Sequence, residues 1–171
     1  YGVPISLCNL EKSHKFGIFE IGMSNPGEIN KLSKIIKPDI GIITNVAEAH
    51  IENFKNLDGI ARAKGEIINN ISKNGFLIID RDGKYFRYFE KIAQKNGLTV
   101  ISFGFSKKAN IFLENSKNEK NNKKIKVSIF NKKYNLLIKK GYIKNILVLL
   151  SVLKCLNLDI NKILKEIKNL K

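Results

Sequence analysis

The chain has 171 residues, 43% of them hydrophobic, so it is long enough for one domain with a core and too short for two ordinary domains. Its two cysteines, Cys8 and Cys155, lie far apart without metal-ligand spacing. This pattern does not favour a disulfide framework or a zinc site, and it predicts two core thiols in a reducing compartment. The net charge is +16, but the excess is mostly lysine scattered among asparagine and isoleucine, as expected for solvated surfaces encoded by an AT-rich genome. We therefore rank an enzyme above a nucleic-acid-binding protein and expect no nucleic-acid partner.

The sequence opens at Tyr1 without the basic start and apolar run of a secretory signal, and we expect this residue to lie within a longer protein. The longest apolar stretch, 143–158, is interrupted by lysine and asparagine and is shorter than a bilayer requires. These features predict a cytoplasmic protein without membrane contact.

The first 104 residues alternate between short apolar runs and segments of helical length. The apolar runs, which are bounded by Gly, Asp or Asn, predict buried strands at 16–21, 40–44, 76–79 and 99–103. The segments between them predict helices at 26–36, 57–71 and 84–95. This alternation is typical of an α/β fold with a mainly parallel sheet flanked by helices on both faces.

The pattern changes after Gly104. Alternating runs predict a small antiparallel sheet with strands at 109–113, 125–130 and 134–138. The polar tract 115–124 predicts a mobile hairpin loop, and two helices are expected at about 143–156 and 161–170. We therefore predict a single domain over 1–171, with a parallel part (1–104), a small antiparallel sheet (105–140) and C-terminal helices (141–171).

Several polar side chains follow predicted strands, where open parallel α/β sheets bind their ligands. Glu20 ends the first strand, where it holds a metal ion or water, or else is a solvated or helix-capping carboxylate. His50 follows the second strand, where a lone histidine is more often structural than a ligand. Asp80 and Asp82 close the third strand and either touch a ribose or cap the next helix, with capping preferred. Lys64 lies on a predicted helix, where a solvated lysine is the ordinary interpretation.

Four segments share their order and spacing with a known family. They are 1–4 (YGVP), 20–29 (EIGMSNPGEI), 38–54 (PDIGIITNVAEAHIENF) and 60–67 (IARAKGEI). They resemble the Gly-Val-Pro, Glu-x-Gly, Ala-His-Leu-Glu-x-Phe and Ile-Ala-x-Ala-Lys-x-Glu-Ile segments of the Mur ligases. The helix start Gly27-Glu28-Ile29 favours the MurF type within that family.

The resemblance implies the P-loop NTPase-like central domain of an ATP-dependent amide-bond ligase of peptidoglycan synthesis. Such an enzyme adds D-alanyl-D-alanine to UDP-N-acetylmuramoyl-tripeptide through an acyl phosphate, with ATP and Mg²⁺ as cofactors. By the same resemblance, Glu20, His50 and Lys64 ligate the metal, and Lys64 is carbamylated by carbon dioxide to give an anionic oxygen donor suited to magnesium. His50 and Lys64 are then the catalytic residues, while Ser24 and Asn25 face the muramoyl-peptide substrate.

The chain departs from the family at two places. No Gly-x-x-Gly-Lys-Thr phosphate loop occurs in it, so the resemblance implies a fragment that also lacks the N- and C-terminal domains and is inactive by itself. The family usually has His-Asn-x-x-Asn at 141–145, where this chain has GYIKN, and only Asn145 fits as a contact to the adenine side of ATP. Two alternatives stay open at this point: a basic nucleic-acid-binding module and a non-catalytic paralogue.

Overall fold

The computed structural model describes residues 2–48, 53–120, 122–139 and 141–167. Among these residues, six strands form one sheet in the order β1-β2-β3-β4-β5-β6. Their bounds are β1 (Ile40–Ile43), β2 (Phe76–Asp80), β3 (Thr99–Gly104), β4 (Ile111–Glu119), β5 (Asn122–Ile129) and β6 (Lys132–Lys139). Strands β1 to β4 pair in parallel and β4 to β6 pair antiparallel. The predicted antiparallel strands therefore continue the main sheet through the β3–β4 pair.

Helices precede β1, separate β1 from β2 and β2 from β3, and follow β6, as predicted, whereas β3 and β4 are joined by a short connection without a helix. The helices are α1 (Gly2–Cys8), α2 (Glu28–Ile36), α3 (Leu57–Gly65), α4 (Phe86–Lys95), α5 (Ile143–Cys155) and α6 (Ile160–Ile167), with a 3₁₀ helix (Glu66–Asn70) directly after α3. Helix α1 has no counterpart among the predicted elements. The helix predicted over 57–71 tightens into 3₁₀ geometry, where β-branched and asparagine residues with weak helix propensity follow Glu66.

The core lies on both faces of the sheet, and β2 shows how the strand sequence produces this. Ile78 packs in the cluster that contains α5, whereas its neighbours Leu77 and Ile79 pack in the cluster that contains α4. Successive side chains of a strand point to opposite faces, so a continuous apolar run belongs to a strand that is covered on both sides. The prediction of helices on both faces is confirmed.

The predicted strand at 16–21 is wrong, because this segment has no regular secondary structure. Phe16 is 58% exposed and Ile18 is 95% exposed. A strand requires a neighbour for its backbone N–H and C=O groups, and within the described ranges no strand pairs with this segment. Its apolar residues alone were therefore insufficient evidence for a strand.

The predicted loop at 115–124 is also wrong, since β4 continues to Glu119 and β5 begins at Asn122. The antiparallel ladder places Lys117 directly opposite Lys124, although like charges in this position are mildly destabilising. Buried residues farther along both strands hold the register, and the backbone hydrogen bonds extend it into the polar tract. A polar composition therefore did not prevent this tract from forming paired strands.

The two cysteines differ in their surroundings. Cys8 is exposed at the end of α1, so its prediction as a core thiol is wrong. Cys155 is partly buried against the cluster around α5, and this burial raises the pKa of its thiol to about 11. None of the described helices is long and apolar enough to cross a membrane.

Candidate active site

A cleft of about 220 Å³ opens at the carboxyl ends of β1 and β2. Its walls are formed by the loops that follow these strands, by the start of α4 and by the first turn of α5. The lining residues are Ile43, Asn45, Val46, Ile79, Asp80, Asp82, Gly83, Lys84, Tyr85, Phe86, Phe89 and Lys144. This is the edge at which parallel α/β sheets bind ligands, because helix N-termini and loop N–H groups converge there.

A charged pair spans one side of the cleft. The Lys144 Nζ donates a hydrogen bond to Asp80 Oδ2 at 2.6 Å, and the backbone N–H of Asp82 donates to Asp80 Oδ1 at 2.9 Å. The Asp80 side chain is 8% exposed and that of Lys144 is 46% exposed. The pair fixes the first turn of α5 to the end of β2 and leaves the lysine ammonium accessible from the cleft.

Asp82 stabilises the neighbouring loop and caps no helix. Its carboxylate accepts hydrogen bonds from the backbone N–H groups of Phe105 and Ser106, at 2.5 and 3.0 Å. A Cβ atom at Gly104 would collide with this carboxylate, so a larger residue there would require the Asp82 side chain to shift. Helix α4 begins after Tyr85 without a side-chain cap, and the preferred interpretation of Asp80 and Asp82 as helix caps is therefore wrong.

Tyr85 connects the cleft to α3, the helix that carries Lys64. Its hydroxyl donates a hydrogen bond to Asp58 Oδ1 at 2.5 Å, and Asp58 lies in the first turn of α3. This hydrogen bond to a carboxylate raises the pKa of Tyr85 above its ordinary value, because deprotonation would remove the donor and place two anions together. At neutral pH Tyr85 is thus a hydrogen-bond donor.

A small apolar cluster joins the segments that carry the predicted metal ligands. Its members are Phe54, Ile60 and Ala63, with Met23, Val46 and Leu57 packed against them. Met23 follows Glu20 by three residues, and Ala63 directly precedes Lys64. Val46 belongs to the segment after β1 that leads to the predicted histidine ligand. Residues far apart in sequence are thereby brought into one neighbourhood.

The predicted ligands themselves are placed as follows. Glu20 is exposed in the irregular segment before α2, and Lys64 is half-buried on α3. His50 lies outside the described residues. Within the described part of the chain, no three His, Cys, Asp or Glu side chains form a group that could hold a metal ion. The site of Glu20, His50 and Lys64 stays a prediction.

Ser24 and Asn25 are exposed just before α2 and are held by Glu28. The Glu28 carboxylate accepts hydrogen bonds from the Ser24 backbone N–H at 2.7 Å and from Asn25 Nδ2 at 3.1 Å. The Ser24 bond, followed by the Asn25 bond, lowers the pKa of Glu28 below its ordinary value. The loop that would face a muramoyl-peptide is thus fixed by its own helix.

The adenine contact predicted at Asn145 lies on the exposed first turn of α5. Its neighbour Lys144 lines the cleft, and the sequence pattern missed this residue. The partner of Lys144, Asp80, is 64 residues away, so no local spacing could reveal the pair. The available signal was a lysine at the start of a helix on the ligand-binding edge.

Comparison with known proteins identifies the family of the chain. The sequence profile of the Mur ligase middle domain matches residues 1–151. The UDP-N-acetylmuramoyl-tripeptide--D-alanyl-D-alanine ligase of Buchnera aphidicola subsp. Baizongia pistaciae is 38% identical over 128 residues, which are 74% of this chain and 27% of that protein. The protein of the same name from Rickettsia prowazekii is 40% identical over 109 residues, covering 63% of this chain and 24% of that protein.

Solved structures share the fold. MurF from Acinetobacter baumannii superposes with a TM-score of 0.89 and 23% identity, over 99% of this chain and 37% of that one. MurF ligase from Thermotoga maritima, in complex with ADP, gives a TM-score of 0.86 and 24% identity, over 100% of this chain and 39% of that one. The chain thus spans about a quarter of the length of the two curated relatives. With the profile matching most of its length, the chain belongs to the Mur ligase middle-domain family.

Proposed function

We propose that the full-length protein containing this chain joins D-alanyl-D-alanine to UDP-N-acetylmuramoyl-tripeptide at the expense of ATP, in the cytoplasm, during peptidoglycan synthesis. The chain contributes the metal-side part of the central domain. The names of the relatives support this reaction, and family membership does not favour the nucleic-acid-binding alternative.

One observation within this molecule supports the proposal. The small apolar cluster brings together Met23, which follows Glu20, Val46, which precedes His50, and Ala63, which precedes Lys64. These segments meet beside the carboxyl edge of the sheet, where the cleft opens. A ligase must bring the phosphates of a nucleotide, a carboxylate and an amine together, so its anionic and cationic groups have to be positioned from several parts of the chain.

The residue types fit a magnesium site. Glu20 supplies an exposed carboxylate, and Lys64 is half-buried on α3, where its amine can react with carbon dioxide to become a carbamate. The carbamate replaces a cation by an oxygen donor, which is the ligand type that Mg²⁺ prefers. A bound Mg²⁺ would offset the negative charge of the phosphates. His50 completes the proposed ligand set.

The cleft is proposed to hold part of the nucleotide. Lys144 and Lys84 place two cationic groups on it, and the Tyr85 hydroxyl and the Asn45 amide add polar groups. Asn145 is proposed to contact the adenine side from the same turn of α5. The fold relative from Thermotoga maritima was solved with ADP, which supports a nucleotide as the ligand.

The reaction is tested in the full-length protein by measuring phosphate release. We expect release only when ATP, UDP-N-acetylmuramoyl-tripeptide and D-alanyl-D-alanine are all present. Turnover with another amino acid in place of the dipeptide would reject the assignment. An intact phosphate loop encoded upstream of Tyr1 is expected, and its absence would favour a non-catalytic paralogue.

The carbamate is tested with Lys64→Ala in the same protein. We expect loss of activity with partial rescue by short carboxylates such as acetate, because these can supply the missing oxygen ligands. Lys91→Ala is the matched control, since Lys91 is an exposed lysine on another helix, α4. Unchanged activity of Lys64→Ala would eliminate the carbamate.

A further inference from the structure

Glu66 caps a helix that lies far from it in sequence. Its Oε1 accepts a hydrogen bond from the backbone N–H of Gly27 at 2.8 Å, and its Oε2 accepts one from the backbone N–H of Asn30 at 3.0 Å. Gly27 is the N-cap residue of α2, has a φ of 86° and has no side chain that could accept these bonds. The carboxylate of Glu66 thus satisfies N–H groups that the helix leaves unpaired, and its negative charge faces the positive end of the helix dipole.

The two elements that Glu66 joins are those that carry proposed site residues. Glu66 follows Lys64 by two residues, directly after α3. Helix α2 begins where the segment of Glu20, Ser24 and Asn25 ends. The bonds of Glu66 are part-buried and span 39 and 36 residues, so they are tertiary contacts between these elements.

Other polar contacts make the connection continuous. Glu28, in the first turn of α2, holds the Ser24 and Asn25 segment by the two hydrogen bonds given above. On the next turns, Asn70 Nδ2 donates to Asn30 Oδ1 and to Ser33 Oγ, both at 2.9 Å. The hydrogen-bonded connection therefore runs from the 3₁₀ helix through α2 to the loop before it.

We infer that Glu66 is a positioning residue, which sets the loop of Glu20 to Asn25 relative to Lys64. The inference rests on the proposed function for its catalytic consequence, while the coupling of the two segments can be measured independently. A residue that merely caps a helix would affect stability. A positioning residue also affects the affinity for whatever the loop and Lys64 bind together.

The test uses Glu66→Gln in the full-length protein, because glutamine keeps the shape but presents an NH₂ group to one of the two N–H donors. Hydrogen–deuterium exchange is expected to become about tenfold or more faster in peptides covering residues 24–30. In the ligase assay, the Mg²⁺ concentration for half-maximal rate and the KM for UDP-N-acetylmuramoyl-tripeptide should each rise about tenfold. The KM for D-alanyl-D-alanine should not change. These values correspond to the loss of one charge-assisted hydrogen bond.

The control is Glu90→Gln. Glu90 is a partly buried glutamate that accepts a hydrogen bond from Arg87 within α4, so its replacement should leave all these quantities unchanged. Unchanged exchange at 24–30 in Glu66→Gln would overturn the inference. If exchange becomes faster but the Mg²⁺ concentration for half-maximal rate and the KM for UDP-N-acetylmuramoyl-tripeptide do not change in an active ligase, Glu66 is only a helix cap. This result would also overturn the inference. If the wild-type protein shows no ligase activity, the proposed function fails, and the coupling is then decided by the exchange result alone.

Discussion

The pair of Asp80 and Lys144 allows a quantitative prediction, because it links two elements across the cleft and can be removed with little change in shape. In Lys144→Met, the aliphatic stem remains and the ammonium is lost. Among the residues that the structure describes, Asp80, whose side chain is 8% exposed, then keeps only the bond from the Asp82 N–H. A buried carboxylate without its cation is costly.

The size of the stability loss in Lys144→Met follows from the burial of the two side chains. A hydrogen bond to a charged group contributes about 1.5–3 kcal/mol, and breaking a fully buried ion pair costs about 3–5 kcal/mol. Because the Lys144 side chain is 46% exposed, the pair is partly screened by solvent, and we expect a loss of about 2 kcal/mol. For a domain of this size, that corresponds to a decrease in Tm of about 4–8 °C.

The assay is urea and thermal unfolding of the 171-residue chain, followed by far-UV circular dichroism. Asp80→Asn and the double variant complete a thermodynamic cycle, for which we expect a coupling free energy of about 1–2 kcal/mol. Lys91→Met, at an exposed position on α4, is the control and should change stability by less than about 0.5 kcal/mol. A loss in Lys144→Met as small as in the control, with coupling near zero, would refute the reasoning.

Three further predictions concern other parts of the chain. Because burial raises the pKa of Cys155 from 9.0 to about 11, its thiolate fraction at pH 8 falls about 100-fold, while the higher pKa makes the remaining thiolate a roughly tenfold better nucleophile. Cys8→Ser, which keeps Cys155, should therefore react with Ellman's reagent at least about tenfold more slowly than Cys155→Ser, which keeps the exposed Cys8. The hydrogen bonds that Glu28 accepts lower its pKa from the ordinary 4.5. The contribution of Glu28 to folding stability is therefore complete above pH 4.5 and disappears as the pH falls through the lowered pKa. Glu28→Gln should therefore be less stable than wild type at pH 7 but equally stable in acid, and a pH-independent difference in urea midpoint would contradict this. In Gly75→Ala, the new Cβ would lie 2.6 Å from the backbone oxygen of Asp39, which accepts a hydrogen bond at the start of the β1–β2 pair. The free energy of unfolding should therefore fall by about 1–3 kcal/mol. A variant as stable as the wild type would show that the backbone relaxes freely.

The family and the main layers of the fold could be predicted from the sequence. The run 76–79 is apolar on both faces, the run 99–103 is mostly apolar or β-branched, and the segment between them has helical length, which is information carried by neighbouring residues. The motifs around Glu20 and Lys64 identified the Mur ligase family by their order and spacing, and the profile match confirms it. These features are local, so they can be recognised without knowing which elements meet.

Tertiary structure decided the features that depend on a distant partner. The apolar segment 16–21 is irregular because a strand forms only beside another strand, while the polar tract 115–124 is mostly strand because its ladder continues from buried residues. The hydrogen bond from Lys144 to Asp80 joins residues that are 64 positions apart. The cap that Glu66 provides for α2 joins residues that are up to 39 positions apart. Hydrogen bonds and ion pairs act over a few ångströms in space, so a sequence pattern can show which residues are able to form them, but only the folded chain determines which of them meet.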